Sequence, residues 1–345
     1  MCPSDPLVSR RSLLSFAAMT SAVGLLAATG GSVLSRRRAS AAARVTFRAG
    51  HVFPPTNIWA KAVDQFADLV GKRSNGAVEV KVFPASQLGQ EREIDEGLKL
   101  GNIDFALTSP ALLGGFDPRI GVFDLAYLFR DYDHANKVMD GAVGERIWKS
   151  LRDTAGIRVL ASGAQGFKHV LTRDKRINGM GDLRGLKIRI PGGDTYIRPF
   201  QLLGANPVAM SFAEVYTAMK TGVIDGQDGV PSIFLSAKMF EVGKYFAHTS
   251  HILGTVQLAA SEKTYLGMPA DVQGIVRDAA REAWGDARTA ARQDNENAEK
   301  ELQKLGLAFT RPDLAPFRRA VQPWWKEWGE KNHAMDLVEQ AQAVK

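Results

Sequence analysis

Apolar positions recur along the chain with two different periods, and these periods separate strands from helices. Val78, Val80 and Val82 alternate with charged residues, which predicts a strand. The apolar positions from Trp59 to Val70 recur every three or four residues, which predicts a helix. The same reasoning predicts a helix at 90–100 and further strands at 45–49, 103–107, 157–161 and 186–190. Alternating strands and helices are typical of parallel βαβ units, so the pattern indicates an α/β protein.

Two later helices have recognisable starts. Ser211 and Glu214 have the spacing of a capping box, in which each side chain accepts from a free backbone donor, and Gly222 ends this helix. Pro269 suits the first turn of a long helix, because its fixed φ matches and no hydrogen-bond donor is lost. The apolar face of that helix extends from Val272, and the helical pattern continues to Leu305.

The last amphipathic stretch contains Trp324, Trp325 and Trp328. We expect these side chains to lie in the core rather than in an exposed patch. The chain has no internal repeat and no long linker. Two α/β lobes connected by several chain crossings therefore fit the pattern better than two independent domains.

Composition and charge narrow the class of protein. The 345 residues are 45% hydrophobic and 23% charged, which are ordinary globular proportions, and the length suits about two domains. The formal net charge is +7, but residues 1–43 contain five arginines and one acid, so the remainder carries only +3. This mild excess is not the basic footprint of a nucleic-acid-binding protein.

The first 43 residues have the features of an export signal. Arg10 and Arg11 precede an apolar run at 13–34, and three arginines and the small-residue stretch 39–43 follow it. This is the order of a secretory signal peptide, and the paired arginines resemble a twin-arginine signal. Cleavage is expected after Ala41 or Ala43, which also removes the single cysteine, Cys2. The sequence therefore predicts a periplasmic protein without disulfides.

Common catalytic motifs are missing from the sequence. It contains no G-x-S-x-G elbow, G-x-G-x-x-G fingerprint, phosphate-binding loop or H-E-x-x-H pair. Of the six histidines only His248 and His251 are close in sequence, and no carboxylate stands at a helpful spacing from them. These absences favour a binding protein over an enzyme.

Several sequence blocks occur in one order over most of the chain, from Val45 to about Phe317. They are Gln87–Glu93, Gly101–Phe105, Val122–Phe129, Gly185–Pro191 and Pro207–Gln227. Each block is weakly specific, but in register they resemble the extracytoplasmic solute-binding proteins of TRAP transporters, the DctP family.

This resemblance implies a periplasmic-binding-protein-like α/β fold with two lobes, a hinge and one long helix that spans both. Lobe 1 would comprise 44–166 and 255–294, and lobe 2 would comprise 167–254 and 295–345. The protein would capture a monocarboxylate or dicarboxylate between the lobes and deliver it to a membrane permease. We expect no cofactor, no nucleic-acid partner and a monomer. A metal ion that binds with the acid stays open, since carboxylates and backbone carbonyls suffice for calcium.

Arg189 matches the arginine that binds the ligand carboxylate in this family. The residues agree with that role, because Ile188 and Ile190 face one side of a strand and Arg189 therefore faces the other. A guanidinium offers a planar fork that meets a carboxylate with two parallel hydrogen bonds.

The resemblance also implies other ligand contacts. Lys168 stands where relatives often have a second arginine and keeps the charge without the fork. Phe212 matches a ring that packs on the ligand, with core packing as the alternative, and Glu91 matches a polar position near the cleft. His51 and Trp59 follow the first strand, where ligand contacts of the first lobe begin.

Three departures from the family pattern bear on the ligand. Gly229 stands where many relatives have an asparagine that touches the ligand. Ser109 and Gly192 stand where sialic-acid binders have an acidic residue and an asparagine, which argues against sialic acid. The smaller side chains leave room for water, a metal-bridged acid or a bulkier substrate.

Two other functions remain as alternatives. A ligand-loaded protein of the same fold can report to a sensor instead of a permease, and a neighbouring permease gene would favour uptake. A secreted hydrolase or lyase that acts on a small acid is the less favoured alternative, because the sequence offers no nucleophile or metal cluster for turnover.

Overall fold

The computed structural model describes residues 45–345, so the predicted signal peptide at 1–43 lies outside the described residues. These residues contain a mixed sheet of nine strands with helices packed against it. The strands are β1 (Val45–Gly50), β2 (Val78–Phe83), β3 (Phe105–Thr108), β4 (Ile157–Thr172), β5 (Lys187–Ile190), β6 (Asn206–Ala209), β7 (Gly226–Gly229), β8 (Tyr245–Ser261) and β9 (Ala308–Thr310).

Most of the helices connect consecutive strands. They are α1 (Ile58–Arg73), α2 (Glu91–Leu100), α3 (Pro110–Leu113), α4 (Tyr132–Asp140), α5 (Ala142–Ala155), α6 (Asp194–Leu202), α7 (Phe212–Thr221), α8 (Pro231–Ser236), α9 (Glu262–Gly267), α10 (Ala270–Lys304), α11 (Ala315–Val321), α12 (Trp324–Lys331) and α13 (Met335–Ala343). Three short 3₁₀ helices lie at Pro118–Asp124, Met180–Leu183 and Met239–Glu241.

The strand order β2-β1-β3-β8-β4-β7-β5-β6 divides the sheet into two similar halves, with β9 beside β8. The first half consists of β2, β1 and β3, and the second half of β7, β5 and β6. Within each half, neighbouring strands are parallel to each other. The central strands β8 and β4 are antiparallel to each other and to their neighbours β3 and β7, whereas β9 pairs in parallel with β8. The predicted βαβ units are confirmed in both halves.

The central strands are much longer than the sequence pattern indicates. The pattern predicts a strand at 157–161, but β4 continues to Thr172, and the pattern gives no sign of β8. The reason is that both faces are buried in the middle of each strand, so the buried positions include polar residues as well as apolar ones: Ser162, Gln165, Thr255 and Gln257. Their pairing shifts register between Ala164 and Gly166, where Gly166 has a φ of 148°.

The predicted long helix is confirmed as α10, a single helix of 35 residues and about 52 Å. Its Trp284 packs against Trp59 of α1, with ring centroids 5.8 Å apart, in the core of the first half. Its Leu302 belongs to the core of the second half. Asn295 lies between them, donating to the carbonyl of Gln165 on β4 and accepting from the amide of Ser232 on α8.

The ends of the helices confirm some sequence predictions and correct one. Gly222 ends α7 in the left-handed conformation, as expected. The capping box at its start is wrong, because the Ser211 side chain makes no capping hydrogen bond. The amide of Phe212 instead donates to the Glu91 carboxylate from α2.

The three tryptophans Trp324, Trp325 and Trp328 are buried as predicted. Within residues 45–345, no helix combines the length and apolarity needed to cross a membrane.

Candidate functional site

The carboxyl ends of two pairs of parallel strands, one pair in each half of the sheet, surround a cavity of about 80 Å³, here called the central cavity. The carboxyl ends of β1 and β3 contribute one side, and those of β5 and β7 the other, which is where α/β sheets usually bind ligands. The first half contributes Val52, Phe53, Glu91, Leu107, Thr108, Ser109 and Leu112, and the second half Arg189, Pro191, Tyr196, Phe212, Asp228, Gly229, Val230 and Ile233. The central strands add Gln165, Lys168, Thr255 and Val256.

Arg189 lies on β5 with its guanidinium in the cavity wall, and the residue is only 5% exposed. Its Nε donates to the carbonyl of Met210 at 2.9 Å, which fixes the plane of the group. Its Nη2 lies 3.9 Å from Oε1 of Glu91, and its Cζ lies 5.8 Å from the centroid of the Phe212 ring. Burial lowers the pKa of Arg189, and the negative charges of Asp228 and Glu91 oppose this shift. The guanidinium is thus held in place while part of its donor fork faces the cavity.

Lys168 and Asp228 form a buried ion pair beside Arg189. Nζ of Lys168 donates to Oδ2 of Asp228 at 3.1 Å and lies 4.5 Å from the centroid of the Tyr196 ring. Burial alone would raise the pKa of Asp228, but Lys168, His251 and Arg189 outweigh it and lower the pKa to about 2. Oδ1 of Asp228 has no hydrogen-bond partner among the residues the structure describes. It is therefore an acceptor available to a ligand donor.

Tyr196 connects the ion pair to a further buried carboxyl. Its hydroxyl donates to Oδ1 of Asp124 at 3.3 Å, and both residues are buried. Burial raises the pKa of Asp124 to about 7, with Lys168 opposing the shift. Asp124 lies at the end of the 3₁₀ helix after α3, whereas Tyr196 lies on α6. This hydrogen bond therefore joins two segments that are distant in sequence.

Glu91 is the residue through which the two sides of the cavity touch. It is the first residue of α2. The start of this helix is capped by a hydrogen bond of 2.7 Å from the Gln90 amide to the Glu93 carboxylate. Oε1 of Glu91 accepts from the amide of Phe212 at 3.2 Å, at the first turn of α7. Free amides at a helix start bind carboxylates well. An internal carboxylate thus occupies the position between Arg189 and the start of α7.

Gly229 lines the cavity and is tightly packed on its other side. A Cβ at this position would lie 2.6 Å from Cε1 of Phe234. The ring of Phe234 is fully buried and packs against Phe246 with centroids 5.8 Å apart. The departure from asparagine at this position therefore has a steric reason, because a side chain at 229 would have to displace Phe234.

Five of the sequence-predicted site residues come together at the central cavity: Arg189, Lys168, Phe212, Glu91 and Gly229. The structure does not bring His51 or Trp59 there. Trp59 is fully buried in the core of the first half, and His51 is 1% exposed, with burial lowering its pKa to about 4. His51 directly follows β1 and Trp59 lies in the first turn of α1, and both side chains are buried inside the protein.

Four lining or adjoining residues were not predicted from the sequence: Asp228, Tyr196, Gln165 and Asp124. Asp228 is the penultimate residue of β7, directly before Gly229, so its position near a strand end was the available signal.

Of the two other departures from the family pattern, Ser109 lines the central cavity. Gly192 lines a wider groove that adjoins it at Glu91.

This outer groove, of about 690 Å³, is larger than the central cavity but less suited to an anion. Its acidic side chains are Glu91, Asp95, Glu96 and Asp194, against only two cations, Arg92 and Lys99. The central cavity instead has as many cations as acids, Arg189 and Lys168 against Glu91 and Asp228, and both cations have little exposure. Charge therefore points to the central cavity as the place where an acid binds.

Comparison with known proteins agrees with this geometry. Residues 49–332 match the family model of the bacterial extracellular solute-binding proteins, family 7, known as DctP. The chain belongs to this family. The resemblance to TRAP solute-binding proteins and the expected fold of two α/β lobes are thereby confirmed, whereas the predicted lobe boundaries stay predictions.

Individual relatives cover most of the chain. The C4-dicarboxylate-binding periplasmic protein DctP of Rhodobacter capsulatus is 32% identical over 83% of this chain and 87% of its own length. A TRAP periplasmic solute-binding protein of Sulfurospirillum deleyianum with bound succinate has a TM-score of 0.84 and 32% identity, over 88% of this chain and all of that one. A Polaromonas homologue bound to D-erythronate has a TM-score of 0.84 and 30% identity, over 88% and 99%.

Proposed function

We propose that this protein captures a small organic acid in the central cavity and delivers it to the membrane subunits of a TRAP transporter. The observation that carries the proposal is the buried guanidinium of Arg189, which is fixed through Nε and presents its remaining donors to the cavity. A carboxylate is the partner that such a fork suits best. The relatives with bound succinate and D-erythronate support the same class of ligand.

The ligand carboxylate would replace Glu91 between Arg189 and the start of α7. The Arg189 guanidinium and the Phe212 amide already face one carboxylate, that of Glu91. Binding would therefore exchange one carboxylate for another instead of ordering a new site. The unpartnered Oδ1 of Asp228 would accept from a ligand hydroxyl. Phe212, whose ring lies near the guanidinium, would cover the carboxylate from one side.

Binding would be coupled to closure of the two lobes. The register shift between Ala164 and Gly166 lies at the predicted boundary between 44–166 and 167–254, and supports a hinge there. An acid that contacts both sides of the cavity stabilises the closed arrangement relative to the open one. The protein would act by binding without chemical turnover, as a monomer. Export through the twin-arginine-type signal at 1–43 would place it in the periplasm.

The test is unfolding of the full chain against a panel of monocarboxylates and dicarboxylates, after refolding from denaturant to remove carried-over ligand. An acid at 100 times its Kd should raise the free energy of unfolding by about 2.7 kcal/mol. Arg189→Lys keeps the charge without the fork and should weaken binding at least about tenfold. Arg198→Lys, on the exposed surface of α6, is the matched control and should bind as wild type.

Two outcomes would contradict the proposal. If no acid stabilises the refolded wild-type chain, the ligand class is wrong. If an acid binds equally well to wild type and Arg189→Lys, the protein binds acids but the site is not at Arg189.

A further inference from the structure

Two histidines and a glutamate converge on the side of the molecule where α10 crosses the central strands. His169 lies on β4, His248 on β8 and Glu299 on α10, and one potential ligand atom from each lies within 4.8 Å of the other two. Nδ1 of His248 is 3.4 Å from Oε1 of Glu299, and the two imidazole centroids are 5.0 Å apart. Three separate elements thus present nitrogen and oxygen donors to one point.

This cluster is distinct from the central cavity. Lys168 lines the cavity, whereas His169 follows it at a register shift of β4 and is not among the residues that line the cavity. His169 and Glu299 instead line a surface pocket of about 410 Å³. The pocket also contains the acids Asp131 and Glu296 against one arginine, Arg292, so its surface favours the approach of cations.

The donor set suits a borderline divalent transition metal. Two imidazoles and one carboxylate are ligands that Zn²⁺ accepts, and they leave a position for water, whereas Ca²⁺ and Mg²⁺ prefer oxygen alone. Around a tetrahedral zinc, ligand atoms lie about 3.3 Å apart. The His248–Glu299 distance of 3.4 Å already matches this spacing, and the remaining distances must contract by up to about 1.5 Å, to which the partly exposed Glu299 can contribute by a change of rotamer.

Both imidazoles are uncharged at neutral pH, so each has one unprotonated ring nitrogen. Burial lowers the pKa of His169 well below its usual range and that of His248 to about 4, and the positive charge of Arg311 adds to both shifts. Nε2 of His248 is buried and has no hydrogen-bond partner among residues 45–345. Nδ1 of His169 accepts a long hydrogen bond, 3.3 Å, from the Ser250 amide, which a metal would replace. Burial raises the pKa of Glu299, and Arg311 lowers it. The positive charge of Arg311 also opposes the binding of a cation at this cluster.

We propose that His169, His248 and Glu299 form a binding site for a divalent transition-metal ion, with Zn²⁺ as the probe. Such an ion would link β4, β8 and α10 behind the central cavity. The proposal does not depend on the organic acid, and its test is made without one.

The experiment is calorimetric titration of Zn²⁺ into the full chain, freed of metal by a chelator and carrying no polyhistidine tag. Wild type should bind one Zn²⁺ per chain at this site, and His248→Gln and Glu299→Gln should each weaken that binding at least about tenfold. His333→Asn, which changes an exposed histidine, is the matched control and should leave it unchanged. Cys2 is present in all four proteins, so any zinc that it binds cancels in the comparison.

A spectroscopic readout separates coordination from a structural effect. Co²⁺ bound by two imidazoles and a carboxylate should absorb in the visible range in wild type, and the absorption should be lost in both cluster variants while their far-ultraviolet circular dichroism is retained. The proposal is overturned if wild type shows no saturable binding below millimolar Zn²⁺, or if folded His248→Gln and Glu299→Gln bind it as tightly as wild type.

Discussion

Asp95 and Asp228 are both buried aspartates; Asp95 lies in the first half at the outer groove, and Asp228 lines the central cavity from the second half. Asp95, on α2, accepts from the hydroxyl of Thr108 at 2.8 Å and forms no ion pair with any of residues 45–345, and burial raises its pKa to about 8, with Glu91 and Glu96 adding to the shift. Asp228, on β7, is paired with Lys168 and lies near Arg189, and its pKa is lowered to about 2. The same residue type is thus neutral on one side and ionised on the other at neutral pH.

Under the proposed function, this difference would divide the recognition of an acid between the two sides. The fixed charges of the cavity are Arg189 and Asp228 in the second half and Lys168 on the central strand β4, and each is held by a hydrogen bond. The first half contributes mainly apolar and hydroxyl groups together with Glu91. An anion would thus find its electrostatic partners in Arg189 and Lys168, while the first half excludes water.

The largest effect on stability is expected from removing the negative charge of Asp228. Asp228→Asn leaves Lys168 buried without its counter-ion, which should lower the free energy of unfolding by about 3–5 kcal/mol at pH 7. Urea unfolding measures this, and adding Lys168→Met should restore much of the loss. Because the pKa of Asp228 is lowered on folding, its contribution is present above pH 4 and should vanish as the pH falls towards 2. Equal stability of wild type and Asp228→Asn at pH 7 would contradict the description of this side as a fixed charge pair.

The shape of the same side is tested at Gly229. Gly229→Ala brings a Cβ against the buried ring of Phe234 and should cost about 1–3 kcal/mol of stability. Gly285→Ala on α10, where a Cβ meets open space, is the matched control and should stabilise by up to about 1 kcal/mol. Thermal unfolding distinguishes the two, and a neutral Gly229→Ala would show that Phe234 yields easily.

The uncharged side is tested by its pH dependence. Since folding raises the pKa of Asp95, the folded state holds a proton that the unfolded state has lost, and the contribution of Asp95 to stability should fall as the pH rises from about 4 to about 8. One such group contributes about 1.4 kcal/mol per pH unit, and histidines whose pKa is lowered on folding, such as His51 and His248, contribute a slope of the opposite sign below about pH 6.5. Asp95→Asn should therefore change the slope of stability against pH relative to wild type by this amount, whereas Asp271→Asn at an exposed position should not. An unchanged slope in Asp95→Asn would mean that Asp95 is ionised in the folded protein.

The smallest effect concerns the contact between the two sides. Glu91→Gln removes a negative charge 3.9 Å from the Arg189 guanidinium and should strengthen binding of an acid a few-fold, about 1 kcal/mol or less, because the incoming carboxylate has less to displace. Glu96→Gln, on the same helix but outside the central cavity, serves as the control in titration calorimetry. Weaker binding to Glu91→Gln would instead make Glu91 a direct ligand contact.

The sequence is sufficient for those features that depend on local pattern. The alternation of Ile188, Arg189 and Ile190 places the guanidinium opposite the core, and the period of apolar residues after Pro269 predicts α10 to within one residue of its end. The helix-ending role of Gly222 follows from its place after the last apolar turn. Each of these depends on neighbours within a few positions.

What could not be predicted depends on contacts between distant segments. Lys168 and Asp228 are separated by 60 positions, and Glu91 and Phe212 by 121, so neither pair has a local signal. The predicted cap at α7 is wrong because the Glu214 amide donates to the backbone carbonyl of Ser211 instead of its side chain, and the distant carboxylate of Glu91 accepts from the Phe212 amide. His51 and Trp59 show the converse, since a position after a strand end does not by itself tell which way a side chain turns.

The central strands also constrain when the protein can fold. β3 pairs with β8, and β4 pairs with the same strand, so the first half of the sheet acquires its inner neighbour only after residues 245–261 have been made. The long helix that packs over the first half comes later still. Pairing strands over such separations costs a large loop-closure entropy before the stabilising contacts form, which makes folding slow. A nascent chain that ends before β8 therefore has neither half complete, and the native sheet can form only once synthesis has passed β8.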